Sequence, residues 1–200
     1  MSVQYTKVLS MSSTFPNKNT AEEQLAEWRA FYLNVFRIAL DGISIQIPPS
    51  KRDFKRFIVV ASGITPNTLY TAILKHFPCS RHYTDLDSAG TNIARPTAPY
   101  AVWIRDAIES DETLKNRSAD ELQAENIQGI TLLEHMLYHL KYFIETGMHL
   151  DLLHITMCSG SRMNDGRVPS IMFGKNELKI HWCAPHERNQ RLRARQVIST

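Results

Sequence analysis

Apolar side chains recur at helical spacing in the segment that follows Thr20. The positions that form this stripe are Leu25, Trp28, Tyr32, Val35, Phe36 and Ala39. Thr20 and Glu23 have the spacing of a capping box, so the pattern predicts a helix that begins there and ends at Asp41-Gly42. Apolar and polar residues then alternate over 43–47, which predicts a short strand that ends at Pro48-Pro49.

A strand–turn–helix unit is predicted next. The β-branched run at 57–61 is typical of a buried strand, and Thr65 followed by Pro66 predicts the start of a second helix that reaches about Phe77. Ser62-Gly63 connects the two. This order has the shape of a phosphate-binding turn, although it holds one glycine and lacks the dinucleotide and Walker patterns. A plain connection between a strand and a helix is the alternative.

The rest of the chain predicts a change from helices to strands. After a long connection over 78–99 and a strand over 100–104, two capping boxes predict a short and a longer helix, Ser118 with Glu121 and Thr131 with Glu134. The longer helix ends at Gly147, and its expected buried stripe comprises Leu133, Met136, Leu137, Leu140 and Ile144. Three predicted strands follow, at 154–158, 170–173 and 178–182, separated by turns at 164–166 and 174–176.

The element order predicts an α+β fold, with a mixed sheet that ends in a three-stranded antiparallel meander and helices packed mainly on one face. Residues 1–19 are polar and have no periodicity, so we expect a flexible N-terminal arm. Residues 20–200 are expected to form a single domain.

Composition is that of a globular protein: 43% of the 200 residues are hydrophobic and 22% are charged. No apolar run approaches the ~20 residues of a membrane helix, and the first residues lack a secretory signal. The three cysteines, Cys79, Cys158 and Cys183, are odd in number and widely spaced, which favours reduced thiols. We therefore expect a cytoplasmic protein without a membrane partner.

The net charge of +3 is small, but its distribution is uneven. The stretch 105–134 is acidic, whereas the end of the chain is basic. Its candidate nucleic-acid-binding residues are Arg188, Arg191, Arg193 and Arg195. No aromatic residues are interleaved for base stacking, and a solvated charged face is the alternative.

Several short motifs in the last 145 residues occur together: GITLLE from Gly129, TG.HLD from Thr146, CSGSR from Cys158, DG.VP from Asp165 and LRAR from Leu192. In this combination the chain, from about residue 57 to 200, resembles a family of small uncharacterised bacterial proteins. The resemblance implies a shared fold. It implies no chemistry, because the family has no assigned activity.

The loop from Cys158 to Arg167 holds the densest set of reactive side chains, and a loop of amides with nearby arginines can bind a phosphate or carboxylate. Arg105 and Asp106, at the end of a predicted strand, could join it. The candidate ligand-binding residues are Arg105, Asp106, Ser159, Ser161, Arg162, Asp165 and Arg167. The alternative is a hairpin in which the glycine and the aspartate form the turn and the arginines pair with acidic neighbours. A cysteine phosphatase is disfavoured, since Asn164 stands where that motif needs arginine.

His135 and His139 lie four residues apart, a spacing that suits a metal, and His149 and His154 follow closely. Both fall outside the predicted buried stripe, so we expect a solvated face and predict neither a metal nor a cofactor.

Two functions remain possible. The first is a non-catalytic binding module for an anionic partner, either nucleic acid or an acidic protein surface. The second is a small hydrolase-like enzyme that acts on a phosphorylated or carboxylated ligand, for which no nucleophile–base pair can be named.

Overall fold

The computed structural model describes residues 20–91, 93 and 95–199, and the predicted arm therefore lies outside the described residues. The helices are α1 (Ala21–Phe36), α2 (Pro66–Ile73), α3 (Ala119–Ala124) and α4 (Leu132–Thr146). The strands are β1 (Arg56–Val60), β2 (Cys79–Arg81), β3 (Gly90–Thr91), β4 (Tyr100–Ile104), β5 (Ile155–Met157), β6 (Ser161–Arg162), β7 (Val168–Gly174), β8 (Glu177–Cys183) and β9 (Leu192–Ala194). Within these ranges no helix is long and apolar enough to cross a membrane.

The predicted α+β class is confirmed. The main sheet has the strand order β2-β8-β7-β5-β9. At its centre β5, β7 and β8 pair antiparallel, which agrees in part with the predicted meander, because β6 intervenes between β5 and β7 in the chain and pairs with β3. β2 and β9 add parallel strands at the edges. β7 and β8 are joined through Lys175 and Asn176, both at positive φ, as a two-residue hairpin turn requires. Two further antiparallel pairs, β1 with β4 and β3 with β6, stand apart from this sheet.

Helix α4 lies at the centre of the molecule, and this position explains why its predicted stripe is only partly correct. Met136, Leu137 and Leu140 are buried as expected, but Ile144 is 42% exposed. Because α4 contacts α2 and β1, and shares its core cluster with strands of the main sheet, more than one of its faces is buried. α3 packs instead in a separate cluster with residues such as Val168 and Cys183.

Side chains of α1 protect the free edge of β1, which pairs with β4 on its other side. Three residues at helical spacing, Gln24, Trp28 and Tyr32, reach its backbone. Gln24 bonds to the carbonyl of Lys55 (2.9 Å) and the amide of Phe57 (3.0 Å), Trp28 donates to the carbonyl of Phe57 (2.9 Å), and the Tyr32 hydroxyl donates to Val59 (2.8 Å) and accepts from Ala61 (3.1 Å). The helix thereby satisfies the polar groups that an unpaired strand edge exposes.

The structure corrects several predicted boundaries. α1 ends at Phe36, because Arg37 adopts the left-handed conformation (φ 60°) and its amide bonds back to Leu33. The strand predicted over 43–47 is reduced to one bridge between Gln46 and Tyr100. Pro48 and Pro49, which follow the segment, have no amide donors to extend the pairing. α2 stops at Ile73, earlier than predicted.

The segment 78–99, predicted as a connection, contains β2, β3 and a 3₁₀ turn at Leu86–Ser88. Both strands are short, and their Cys-Ser-Arg and Gly-Thr sequences carry no apolar alternation that a pattern could reveal.

Candidate functional site

A cleft of about 350 Å³ opens where β1 ends. Its walls come from the turn after β1, from the segment before β4 and from the first turn of α4. The lining residues are Val60, Ala61, Ser62, Gly63, Thr91, Arg95, Pro96, Thr97, Ala98, Tyr100 and Leu133. The volume lies in the range of clefts that hold small ligands.

A buried ion pair forms part of this cleft. Arg95 donates from Nε to Oε1 of Glu134 (2.6 Å) and from a terminal nitrogen to Oε2 (3.3 Å). Only 4% of the Arg95 side chain is exposed, and Glu134 is fully buried. Glu134 also accepts from the hydroxyl of Tyr100 (3.1 Å) and the amide of Thr131 (2.8 Å). The capping carboxylate of α4 is therefore also the group that holds Arg95 in place.

Burial and the ion pair between Arg95 and Glu134 shift the pKa values of Tyr100 and Arg95. Burial and the charge of Glu134 raise the pKa of Tyr100, so its hydroxyl stays protonated. For Arg95, burial opposes the charged form, but the adjacent Glu134 outweighs it and the pKa rises above its ordinary value. The cleft thus carries a permanent guanidinium cation.

The Ser62-Gly63 turn also lines the cleft. Gly63 has φ +81°, a conformation that favours glycine. Within the described residues the amides of Ser62 and Gly63 donate no hydrogen bond to the protein. The N-terminus of α2 is already capped, because Thr65 accepts from the amide of Thr68 and the carboxylate of Asp87 accepts from the amide of Asn67. The turn, and not the helix end, is the part that can meet a ligand.

The serines of the loop 158–167 have structural roles. The Ser161 hydroxyl accepts from the amide of Leu132 at the start of α4 (3.0 Å). Ser159 lies against Gly129 so closely that a Cβ on the glycine would sit 1.8 Å from its Oγ. Gly160 likewise packs on the carbonyl of Gly129. These contacts dock the CSGSR motif onto the GITLLE motif.

The charged residues of the loop are paired locally. Arg162 donates to the carbonyls of Ser159 (3.2 Å) and Ser161 (3.0 Å) and lies 3.8 Å from the carboxylate of Asp120. Asp165 accepts from Arg167 and from the hydroxyl of Tyr83, and the Arg167 guanidinium stacks over Trp182. The hairpin alternative, in which arginines pair with acidic neighbours, describes this geometry.

The predicted approach of Arg105 and Asp106 to that loop is not seen among the contacts of the described residues. Arg105 pairs with Asp111 (2.6 Å) and bonds to Gln196, while Asp106 pairs with Arg56 (2.9 Å). β4 pairs with β1 and belongs to a different sheet from the strands around the loop, so its end leads to other partners.

The prediction of an exposed basic tail is wrong for Arg193 and Arg195, which are 6% and 0% exposed. Both lie in or directly after β9, and Arg193 pairs with the exposed carboxylate of Glu112 (2.5 Å). Neither can reach a phosphate in this fold. Arg188 and Arg191 are exposed, and Arg188 pairs with Glu121 (3.3 Å).

The prediction that His135 and His139 lie on a solvated face is also wrong, because both are fully buried in α4. Nε2 of His135 lies 2.6 Å from the buried carboxylate of Asp151, whose other oxygen accepts from Arg195 (3.1 Å). Nε2 of His139 lies 3.1 Å from Nδ1 of His149. Sequence reasoning noticed the spacing of the histidines but missed that Asp151 and Arg195 complete a buried network.

Burial and neighbouring imidazoles lower the pKa of His139 well below its ordinary value, and burial lowers that of His149 to about 4. These histidines are neutral at pH 7. Within the described part of the chain, no group of three or more histidine, cysteine or acidic residues is arranged to hold a metal ion.

Fold and cleft together define the class: an α+β protein with a ligand-sized cleft built around a buried arginine. Comparisons with family models, curated proteins and solved structures give no match for this chain. The resemblance to a family of bacterial proteins therefore remains a prediction.

Proposed function

We propose that this protein binds a small anionic ligand, a carboxylate or a phosphate ester, in the cleft at the end of β1. One observation supports the proposal: the cleft is lined by Arg95, whose guanidinium pairs with Glu134, and by the Ser62-Gly63 turn, whose amides donate no hydrogen bond to any described residue. A fixed arginine and unpaired amides are the donors that proteins use for carboxylates and phosphates.

Binding is favoured over hydrolysis. The hydroxyls that line the cleft belong to Ser62, Thr91, Thr97 and Tyr100. None of them is hydrogen-bonded to a histidine among the described residues, so an activated nucleophile is lacking there. Burial and nearby carboxylates raise the pKa of Cys158 well above its ordinary value, which keeps this thiol protonated and inert.

A macromolecular anionic partner is the weaker candidate. A nucleic-acid interface at the end of the chain would need its four arginines at the surface, and Arg193 and Arg195 are buried. The ion pair of Arg188 with Glu121 further reduces the field that a phosphate backbone would meet. Arg95, by contrast, lines the cleft and stays charged whether or not the arginines elsewhere are exposed.

The test is anion binding, measured by isothermal titration calorimetry with inorganic phosphate, phenyl phosphate, acetate and benzoate, and with neutral benzamide as a control. We expect saturable binding of at least one anion that the double variant Arg95→Gln/Glu134→Gln weakens by about tenfold or more. Changing both residues leaves no unpaired buried charge, and glutamine can still complete the capping box of α4.

Arg191→Gln, which removes an exposed arginine outside the cleft, serves as the matched control and should bind as the unmodified protein does. Absence of saturable binding for all four anions, or binding that the double variant leaves unchanged, would show that the cleft is not an anion site.

A further inference from the structure

The electrostatics of the cleft depend on one ion pair. Arg95 is the only charged side chain among the described residues that line it. Glu134, which pairs with the guanidinium, carries the opposite charge and is fully buried. Among the described residues, the fixed charges at this site therefore sum to zero, and the residue that lines the cleft is the cation.

A neutral pair of this kind discriminates between ligands by their charge. The attraction of an anion to the pair grows in proportion to the anion's charge, whereas the cost of removing that charge from water grows with its square. A phosphate monoester carries about −1.5 to −2 near pH 7, and a carboxylate carries −1. Glu134 also repels the second charge of a phosphate, and the described residues that line the cleft include no second cation to offset this repulsion.

The remaining walls are mostly apolar. They are formed by the side chains of Val60, Ala61, Pro96, Ala98 and Leu133 and include Tyr100. Covering the apolar part of a ligand with such a surface contributes favourable binding free energy, whereas a second hydrated group on the ligand contributes none.

We propose that the ligand class of this cleft is a small monocarboxylate with an apolar body. Its carboxylate would face Arg95 and the Ser62-Gly63 turn, and its apolar part would lie against Leu133. This inference rests on the proposed function and narrows it to one kind of anion.

The test compares ligands that share a ring and differ in their charged group: benzoate, phenyl phosphate and benzamide, titrated at pH 7.5 into the unmodified protein. We expect benzoate to bind at least about tenfold more tightly than phenyl phosphate, and benzamide not to saturate. Leu133→Phe, which fills the apolar wall, should weaken benzoate. Ile144→Phe, an exposed position on the same helix, should not.

A second variant tests the role assigned to charge. Glu134→Gln removes the negative charge that pairs with the guanidinium, so the preference for benzoate over phenyl phosphate should fall or reverse. Circular dichroism would confirm that the variant is folded.

The outcomes separate the two proposals. If phenyl phosphate or inorganic phosphate binds as tightly as benzoate through Arg95, the monocarboxylate inference is wrong and the anion site stands. If no anion depends on Arg95, both proposals fail.

Discussion

Replacing Asp151 by asparagine would test whether the buried network holds the core together. The Asp151 carboxylate is fully buried and accepts from Arg195 (3.1 Å) on one oxygen and contacts His135 (2.6 Å) on the other. Asp151 also has φ +54°, in the left-handed region that asparagine tolerates as well as aspartate does. Asp151→Asn therefore removes the charge and keeps the shape and the backbone conformation.

The expected loss of stability at pH 7 is about 3–5 kcal/mol, because the fully buried Arg195 guanidinium is left without its anion. Its remaining acceptors among the described residues are all uncharged: the carbonyls of Ala107 and Ile108 and the amide oxygen of the new asparagine. Such a loss is large against the ~5–15 kcal/mol that stabilises a typical domain.

Part of this contribution depends on pH. Burial alone would raise the pKa of Asp151, but Arg195 and His135 outweigh it and lower the pKa from 3.8 to about 2. A difference of that size corresponds to about 2.5 kcal/mol of stability. Because the pKa is depressed in the folded state, the stabilisation is complete above pH 3.8. It is lost as the pH falls towards 2.

Urea unfolding, followed by circular dichroism at pH 7, 5, 3.5 and 2.5, measures both effects. The gap between the unmodified protein and Asp151→Asn should be largest at pH 7 and should narrow below pH 3.8. Asp165→Asn is the control, since Arg167 also lowers the pKa of Asp165 to about 2, but that pair is exposed and solvent screens it. A loss under about 1 kcal/mol for Asp151→Asn, or a gap that stays constant with pH, would refute the reasoning.

Three further changes can be measured in the same way. Tyr32→Phe should cost about 2–4 kcal/mol, since it leaves a buried amide and a buried carbonyl of the β1 edge unbonded, whereas Tyr70→Phe removes one half-buried bond and should cost about 1 kcal/mol. Gly129→Ala should cost about 1–3 kcal/mol or more by forcing two backbone segments apart, while Gly90→Ala, whose nearest neighbour would lie at 3.9 Å, should cost little. His149→Phe should reduce the loss of stability between pH 6.5 and 4, because burial lowers the pKa of this imidazole to about 4 and the folded state resists its protonation. An unchanged pH dependence would contradict that last expectation.

The features predicted correctly from the sequence are those that neighbouring residues determine. The capping boxes at Thr20, Ser118 and Thr131 form as predicted, since each joins residues three positions apart. The meander is also predictable, because alternating strands and tight turns leave a local pattern. The end of α1 cannot be predicted in this way, because the residue that adopts the left-handed conformation there is Arg37 and not a glycine.

The cleft cannot be predicted from the sequence, for a related reason. Arg95 and Glu134 are 39 positions apart, and Arg95 stands in a segment without periodicity. The Ser62-Gly63 turn was noticed, but no local pattern shows which side chain faces it. A site assembled from a turn, a connection and the start of a helix is visible only after the chain has folded.

The buried arginines and histidines show how polar motifs mislead when they are assigned to the surface. Arg193 and Arg195 are two positions apart, so they lie on the same side of the chain at β9, which is parallel to β5 and adjacent to the core. His135 and His139 are four apart on a helix that is buried on several sides. Each of these side chains has a polar partner: Arg193 pairs with Glu112 at the surface, whereas Arg195 and His135 contact the buried Asp151 and His139 contacts a second histidine. The polar residues of the LRAR and HLD motifs therefore specify the packing of α4 against the sheet, and a ligand must be sought where a charged group borders open space, as Arg95 does.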